Sequence, residues 1–404
     1  VRVLVVSNLY PPYWVGGYEQ IAGWVVSGLR ERGHDVQVLT GRGRAFDGRP
    51  DVHGRMDLDL DAFVERYFAD GLGARDSVRS QVRRHVFSLE NLRVARETIR
   101  AFRPHVVSFW NSAYVSFSPL LAARIAGVAA VAHLSDTVAN PFRNPHPPRF
   151  PERLRPAGRM GVDLLLRLAS PRLFVVPSAF LREKLTVREG LVPGRVRVLP
   201  WPVEPTICRG APPAPRPDPR RRLLFVGTLI PEKGAHVLVE AFRLAHGECP
   251  SLALTLVGEG PASFVRTLEE TARGLPVAFR GRLDRPGVTA EYAGHDVLVF
   301  PSVWEEPYAV VPTEGMAMGL ALVATRTGGT PEAVRHGATG LLVPPGDARA
   351  LADAVLRLAR DGELASRLAR EGQRWALEER GFDPFMTALE ALYAEGAGAG
   401  RMAA

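Results

Sequence analysis

Two acids, Glu306 and Glu314, stand with seven residues between them in the run DVLVFPSVWEEPYAVVPTEGMAMGLALVATRTGGTPE, Asp296 to Glu332. An ionised carboxylate is acceptor-only and holds two neighbouring hydroxyls at once, so such a pair suits a sugar or a ribose. A solvated loop and helix face is the ordinary reading of any acidic pair. Here Gly315 to Gly319 reads as a compact apolar helix, and an acid at its rim needs a partner.

Further groups suit an anion or a flat ring. In FVGTLIPEKGAHVLVEAF a strand ends at Gly227 and a helix begins near Ala235, with Lys233 between them. Helix N-terminal amides and a mobile ammonium would meet phosphate there, although the pattern is not a P-loop. In LVGEGP, Gly258 would let a ring approach the backbone; Ser263 replaces the third glycine of a dinucleotide fingerprint. RGRLD brings Arg282 to the end of the next strand. Near the start, Gly16 and Gly17 of SNLYPPYWVGGYEQ allow close backbone approach, and Tyr13 and Trp14 suit stacking on a sugar or aglycone. His133 closes a strand in AVAHLSDT, where it could donate to a sugar hydroxyl or phosphate; a lone His is more often structural.

Alternating strands and helices must position these groups, the pattern of a parallel sheet covered by helices. The first half predicts strands over Val1–Val6, Asp35–Thr40, His105–Trp110, Ala129–His133, Leu173–Val176 and Arg195–Leu199. The second predicts them over Leu223–Val226, Leu252–Val257, Val277–Phe279, Asp296–Phe300, Leu320–Ala324 and Gly340–Val343. Residues 41–90, rich in Arg, Asp and Gly, predict loops and irregular helices. Between the halves, Trp201 to Arg222 holds seven prolines, which forbid a helix and favour an extended connection. The expected division is an acceptor domain over 1–205, a linker over 206–222, a donor domain over 223–380, and a helix with frayed tail over 381–404 that packs back on the first domain.

At 404 residues the chain exceeds one ordinary core, and 46% hydrophobic with 23% charged residues is the balance of a globular protein. The net charge of +8 invites a nucleic-acid reading, but the cations are scattered among acids and no basic patch with interleaved aromatics is visible. The Arg-rich stretch 141–168, with Arg143, Arg149, Arg153, Arg155 and Arg159 beside an apolar helix, could touch anionic lipid as a peripheral contact; an exposed loop leading into a core helix is the plainer reading. Cys208 and Cys249 are too few for a disulfide framework or a metal cluster. With no apolar span and no secretion-signal pattern, cytoplasmic residence, membrane-associated through that stretch if at all, is expected.

PSVWEEPYAVVPTEGMAMGLALVATRTGGTPE resembles the segment PS-x-x-E-P-F-G-x-x-x-x-E-A-M-A-x-G-x-P-V, followed by G-G-x-x-E, of the retaining glycosyltransferases of family 4. The Gly-Gly loop with Glu19, RGHDV at Arg32–Val36 and the FVG…EKG junction support the resemblance, which covers nearly the whole chain apart from 41–90. It implies an α/β GT-B fold, two Rossmann-like doubly wound domains facing a central cleft. It also implies a nucleotide-sugar donor, a hydroxyl-bearing acceptor (glycan, lipid or small natural product), front-face attack with retention, no cofactor and no metal. Glu314 would hold the ribose hydroxyls, Glu306 those of the transferred sugar and Lys233 the diphosphate. The amides of Tyr308, Ala309 and Val310 would cap sugar and phosphate, with Gly227, Thr228, Gly258 and Arg282 lining the donor. From the first domain come His133, Gly16 and Gly17, and an acceptor side of Tyr13, Trp14, Trp110 and Asn111. Thr228 stands where the family commonly has Arg, Tyr308-Ala309 where it has Phe-Gly, and Gly315 where it has Ala. A non-catalytic nucleotide-sugar-binding protein, which Thr228 favours, and a GT-B epimerase are the competing readings.

Overall fold

The computed structural model describes residues 1–70, 78–110, 113–135, 151–210, 213 and 221–398. Two compact units appear, one of Val1–Leu199 with Phe385–Ala404, the other of Pro200–Pro384. Each is a parallel sheet whose central strands are short and apolar on both sides, as strands covered by helices on both faces must be.

The first unit has seven strands: β1 (Arg2–Val6), β2 (Asp35–Arg42), β3 (Val52–Asp59), β4 (Val106–Phe109), β5 (Ala129–His133), β6 (Leu173–Val176) and β7 (Val196–Val198). Their order is β3-β2-β1-β4-β5-β6-β7. Direction of progression reverses between β1 and β4, where Val6 pairs with Phe109, and the chain leaves both strands there. The helix Gly17–Glu31 follows β1 and buries Ile21, Ala22, Val25, Val26 and Leu29 along one stripe.

Residues 41–90 hold helices, as expected, but also a strand where loops were expected. They contain β3 and the helices Leu60–Asp70 and Val78–His85, and the helix Leu89–Phe102 starts at their end. As the sheet's edge, β3 tolerates the polar residues of VHGRMDLD while burying Val52, Met56 and Leu58. The capping Ser88, whose Oγ accepts from the amide of Asn91, starts the next helix.

The second unit has six strands: β8 (Arg222–Val226), β9 (Ala253–Val257), β10 (Val277–Gly281), β11 (Val297–Phe300), β12 (Ala321–Thr325) and β13 (Leu341–Val343). They run β10-β9-β8-β11-β12-β13, so β8 and β11 flank the reversal. Strand periodicity splits the core. Leu223, Phe225, Leu254, Leu256, Val297 and Val299 pack on one face with the helices Ala235–Glu248 and Ala348–Arg360. Leu224, Leu298, Phe300, Leu322 and Ala324 pack on the other, with Met316, Ala317 and Tyr292.

Two further expectations are corrected. The helix beside Glu314 runs over Val310–Ala317, so this acid lies within it and not at its rim. Pro312 is accommodated because first-turn amides have no intrahelical acceptor to lose. Within the Pro-rich segment, Pro205–Arg209 forms a short helix with Pro205 at its start, where a fixed φ is already helical. Residues 211, 212 and 214–220 of that segment lie outside the described residues.

Gly315 explains one feature of the second core. A Cβ there would run into the Leu298 side chain of β11, so the absence of a side chain lets the helix sit directly on the sheet. Leu298→Ala is expected to cost roughly 2–5 kcal/mol and Gly315→Ala to destabilise by overpacking. Urea unfolding of the double variant should show a smaller loss than the two single losses summed, because each change makes room for the other.

Candidate active site

In the second unit the groups of interest gather where the strand order reverses, the place where open α/β sheets bind ligands. From β8 the chain passes Gly227 and Thr228 into a turn, Pro231–Lys233, and then Gly234, whose φ of +72° caps the helix Ala235–Glu248. A Cβ on Gly234 would meet the carbonyl of Pro301, so this glycine lets the β8 loop lie on the β11 loop. Val303 donates its amide to the carbonyl oxygen of Glu232 at 3.0 Å, and Ser302 Oγ lies 3.1 Å from the same oxygen.

Across that seam Lys233 Nζ lies 2.7 Å from Glu306 Oε1. Ser302 Oγ donates to the same oxygen at 2.7 Å. Glu306 is only 5% exposed, whereas Lys233 is half-buried and keeps a wet side. The Glu306 carbonyl accepts from the amide of Gly329 at 2.7 Å, which fixes the Gly-Gly turn after β12 against the same loop. The buried hydroxyls of Thr327 and Thr330, on that turn, have no partner among the described residues.

Glu314 belongs to a second network. Arg285 donates to Oε1 at 2.8 Å and Tyr292 OH to Oε2 at 3.1 Å. The same guanidinium also donates to Glu204. Burial pushes the Glu314 carboxyl up, and Arg285 opposes that by drawing it down. Burial works against the charged Arg285, yet the two carboxylates beside it hold its pKa above the ordinary value. Arg285 also donates to Oε2 at 3.4 Å, so that oxygen already accepts twice, while Oε1 keeps a second acceptor position for a hydroxyl donor.

The amides of Tyr308, Ala309 and Val310, at the start of the helix Val310–Ala317, make no hydrogen bond within the described residues. The Tyr308 ring itself is buried, edge-on to Trp201, and its hydroxyl accepts from Arg380 Nε at 3.0 Å. Burial raises that phenol to about 12, and Arg380 limits the rise. Gly258 has φ +141° and backs onto the carbonyl of Gly227, so the loops after β8 and β9 touch. Arg282 is exposed and reaches Glu259 at 3.4 Å. Among the described residues no group of three or more His, Cys, Asp and Glu is placed to hold a metal ion.

The first unit corrects the acceptor side. Trp110 is fully buried, stacked on His133 with ring centroids 4.1 Å apart and planes 9° from parallel. Its Nε1 donates to Ser108 Oγ at 2.9 Å, and Ser108 shares a hydrogen bond with Tyr393 OH. Trp110 is thus core and offers no face to a ligand. Tyr13 is buried as well: its hydroxyl donates to Asp61 at 2.7 Å, accepts from the Ala45 amide at 3.1 Å, and its ring meets Phe46 edge-on. His133 is buried so deeply that its pKa falls to about 3. It is therefore a neutral imidazole, excluded as a cationic partner for phosphate. Trp14 is partly exposed, and Asn111 lies outside the described residues.

Sequence reasoning missed Ser302, Arg285, Tyr292 and Glu204. Only Ser302 carried a signal, lying four residues before Glu306 in the same loop.

Both units thus define a doubly wound α/β protein with polar groups gathered at strand ends. A family model for glycosyl transferases group 1 matches residues 220–361, and one for glycosyltransferase family 4 matches residues 15–207. The glycogen synthase of Mycobacterium tuberculosis is 27% identical over 403 residues, spanning 97% of this chain and 94% of the relative. A GDP-mannose-dependent alpha-(1-6)-phosphatidylinositol monomannoside mannosyltransferase of Mycolicibacterium smegmatis is 32% identical over 187 residues, 41% of this chain and 48% of that protein. Among solved structures, a glycosyltransferase from Rickettsia africae superposes with TM-score 0.72 at 17% identity, over 98% of each chain. Anabaena HepE in complex with UDP superposes with TM-score 0.69 at 18% identity, over 98% of this chain and all of that one. The chain belongs to the family 4 glycosyltransferases and has the GT-B fold.

The Gly-Gly loop carries a titration. Glu19 Oε2 accepts from the Gly16 amide at 3.0 Å, one half of a capping box at the start of the helix Gly17–Glu31, whose N-cap glycine has no side chain to supply the other. Burial raises Glu19 to about 7, against the pull of its backbone hydrogen bonds. A carboxyl whose folded pKa exceeds its unfolded one binds more protons when folded, so its contribution to stability is lost as pH rises between those two values. Wild-type protein should therefore lose thermal stability relative to Glu19→Gln between about pH 5 and about pH 8, since Gln keeps the acceptor without ionising. Melting curves that shift in parallel for the two proteins would contradict this.

Proposed function

We propose that this glycosyltransferase moves a sugar from a nucleoside-diphosphate sugar to an acceptor hydroxyl with retention of configuration and without a metal. The observation that carries the reading is the Lys233–Glu306 pair, one partner from each strand flanking the reversal of the second sheet. Relatives that are GDP-mannose-dependent, or have been solved with UDP, support the donor class.

In this reading Lys233 leaves Glu306 to meet the diphosphate, and the freed carboxylate takes hydroxyls of the sugar. Lys233 is suited to that exchange, being a half-exposed flexible cation whose buried partner retains the Ser302 hydroxyl. Glu314, held by Arg285 and Tyr292, accepts from the ribose hydroxyls. The amides of Tyr308, Ala309 and Val310 stabilise negative charge at sugar and phosphate. Gly227, Thr228 and Gly258 let the nucleotide approach the backbone, and Arg282 stands at the rim. The first unit is left to recognise the acceptor, with the Gly16-Gly17 loop and the partly exposed Trp14 as its candidate contacts. The acceptor oxygen attacks on the face the diphosphate leaves; a phosphate oxygen takes its proton as the anomeric bond breaks. Glu306 orients and stabilises without forming a covalent bond. The acceptor is a glycan, a lipid or a small natural product, and a membrane surface is the expected neighbour of the first unit.

Incubation with UDP-, GDP-, ADP- and dTDP-sugars, followed by NMR, tests this directly. Slow release of free sugar from one donor is expected, with Lys233→Ala and Glu306→Gln each lowering kcat by roughly 10²–10³-fold, the range for losing one charge-stabilising group. Interconversion of the donor sugar would make the protein an epimerase, and tight binding without turnover on any acceptor would make it a binding protein. Either outcome contradicts the proposal.

A further inference from the structure

The helix Arg155–Ala169 in the first unit buries Val162, Leu165 and Ala169 on one side. On its other side Met160, Leu164 and Leu168 are 70%, 55% and 53% exposed. Spaced four residues apart, they form one apolar stripe facing water. A helix that only covers a sheet carries polar residues at such positions. These side chains are not scattered singly, as ordinary exposed apolar residues are. Of the ten large apolar side chains left exposed among the described residues, five fall between Met160 and Val192 and two, Leu244 and Val303, in the second unit.

Cations border the stripe. A shallow groove of about 800 Å³ is lined by Arg155, Arg159 and Arg167, by the acids Glu152, which pairs with Arg155, and Asp163, and by Met160 and Leu164. A second groove of about 270 Å³ shares Asp163 and Arg167 with the first and adds Val192 and Arg195. The surface therefore continues to the turn after the helix Ala179–Glu189, on which Val187 is also exposed. From Pro151 to Pro200 the chain has ten Lys and Arg against four Asp and Glu, six of the net eight positive charges of the whole sequence.

We propose that this face is a docking surface for an anionic lipid bilayer. The stripe would enter the boundary between headgroups and acyl chains while the guanidinium groups pair with lipid phosphates and draw the unit onto negative charge. Charge decides between this occupant and a second copy of the chain. Two such faces brought together about a two-fold axis would set one net positive surface against another. The apolar stripe decides against a free phosphate, which would gain nothing from it. The inference stands apart from the donor reading, since none of these residues belongs to the site at the sheet reversal.

Flotation of the full chain with vesicles tests it. Binding to vesicles of phosphatidylcholine with phosphatidylglycerol is expected, with little binding to phosphatidylcholine alone and release as salt is raised. The Met160→Glu/Leu164→Glu variant should float roughly tenfold less, because it places acids in the apolar layer and against the anionic surface. Leu244→Glu in the second unit should float as wild type, and donor hydrolysis should be unchanged in both variants. Equal binding to both vesicle types, no binding to either, or binding unaltered in the double variant would overturn the proposal. So would a concentration-dependent dimer that the double variant dissolves while vesicle binding persists. A lower Tm in that variant with unchanged flotation would overturn it as well, showing that the face packs within the chain.

Discussion

A carboxylate buried as deeply as Glu306 has to be neutralised, and that requirement organises the site. Unpaired, its burial would cost several kcal/mol. Lys233 and Ser302 meet the need. Because the ammonium arrives from the end of β8 and the carboxylate from the end of β11, their pairing fastens two loops that the strand order already makes neighbours. Gly234 permits the contact by lying flat on Pro301, and the Gly329 amide joins the turn after β12 to the same seam. Three strand ends thus converge on one acid.

Glu314 solves the same problem differently. It has more partners: Arg285, about as exposed as Lys233, is shared with Glu204, and Tyr292 is fully buried. A clamp of that kind fixes a carboxylate in one orientation, which is what recognition of a rigid diol requires, whereas Lys233, paired with a single acid, suits a group that must change partner. The contrast also bears on Thr228, where the resemblance leads one to look for a second cation. Arg282 is turned to Glu259 at the exposed rim and Arg285 is occupied by two acids. Lys233 and the amides before Val311 are therefore the groups to which the leaving-group charge is assigned in the proposal.

Much of the architecture was legible because buried parallel strands are short apolar runs bounded by breakers. β3 was not, since an edge strand carries as many polar as apolar residues and VHGRMDLD resembles a loop. The short helix at Pro205 was hidden by a rule that applies to helix interiors only. In the site, Lys233 and Glu306 could be found because each follows a strand and sits beside glycine or proline. Arg285 and Glu204 could not, as they lie 29 and 81 residues from their partners and nothing local marks them. Residue type misled at Tyr13 and Trp110, where aromatic rings beside a loop suggested a sugar platform but fill the core, one locked by Asp61 and the other stacked on His133.

The central claim is that Lys233 exchanges Glu306 for a diphosphate. A crystal structure with a bound nucleoside diphosphate tests it most directly. The account predicts Lys233 Nζ within hydrogen-bonding distance of a phosphate oxygen, the ribose hydroxyls on Glu314, and Glu306 retaining Ser302 alone. A nucleotide bound in the protein with the Lys233–Glu306 pair intact, or bound away from the ends of β8 and β11, would contradict it.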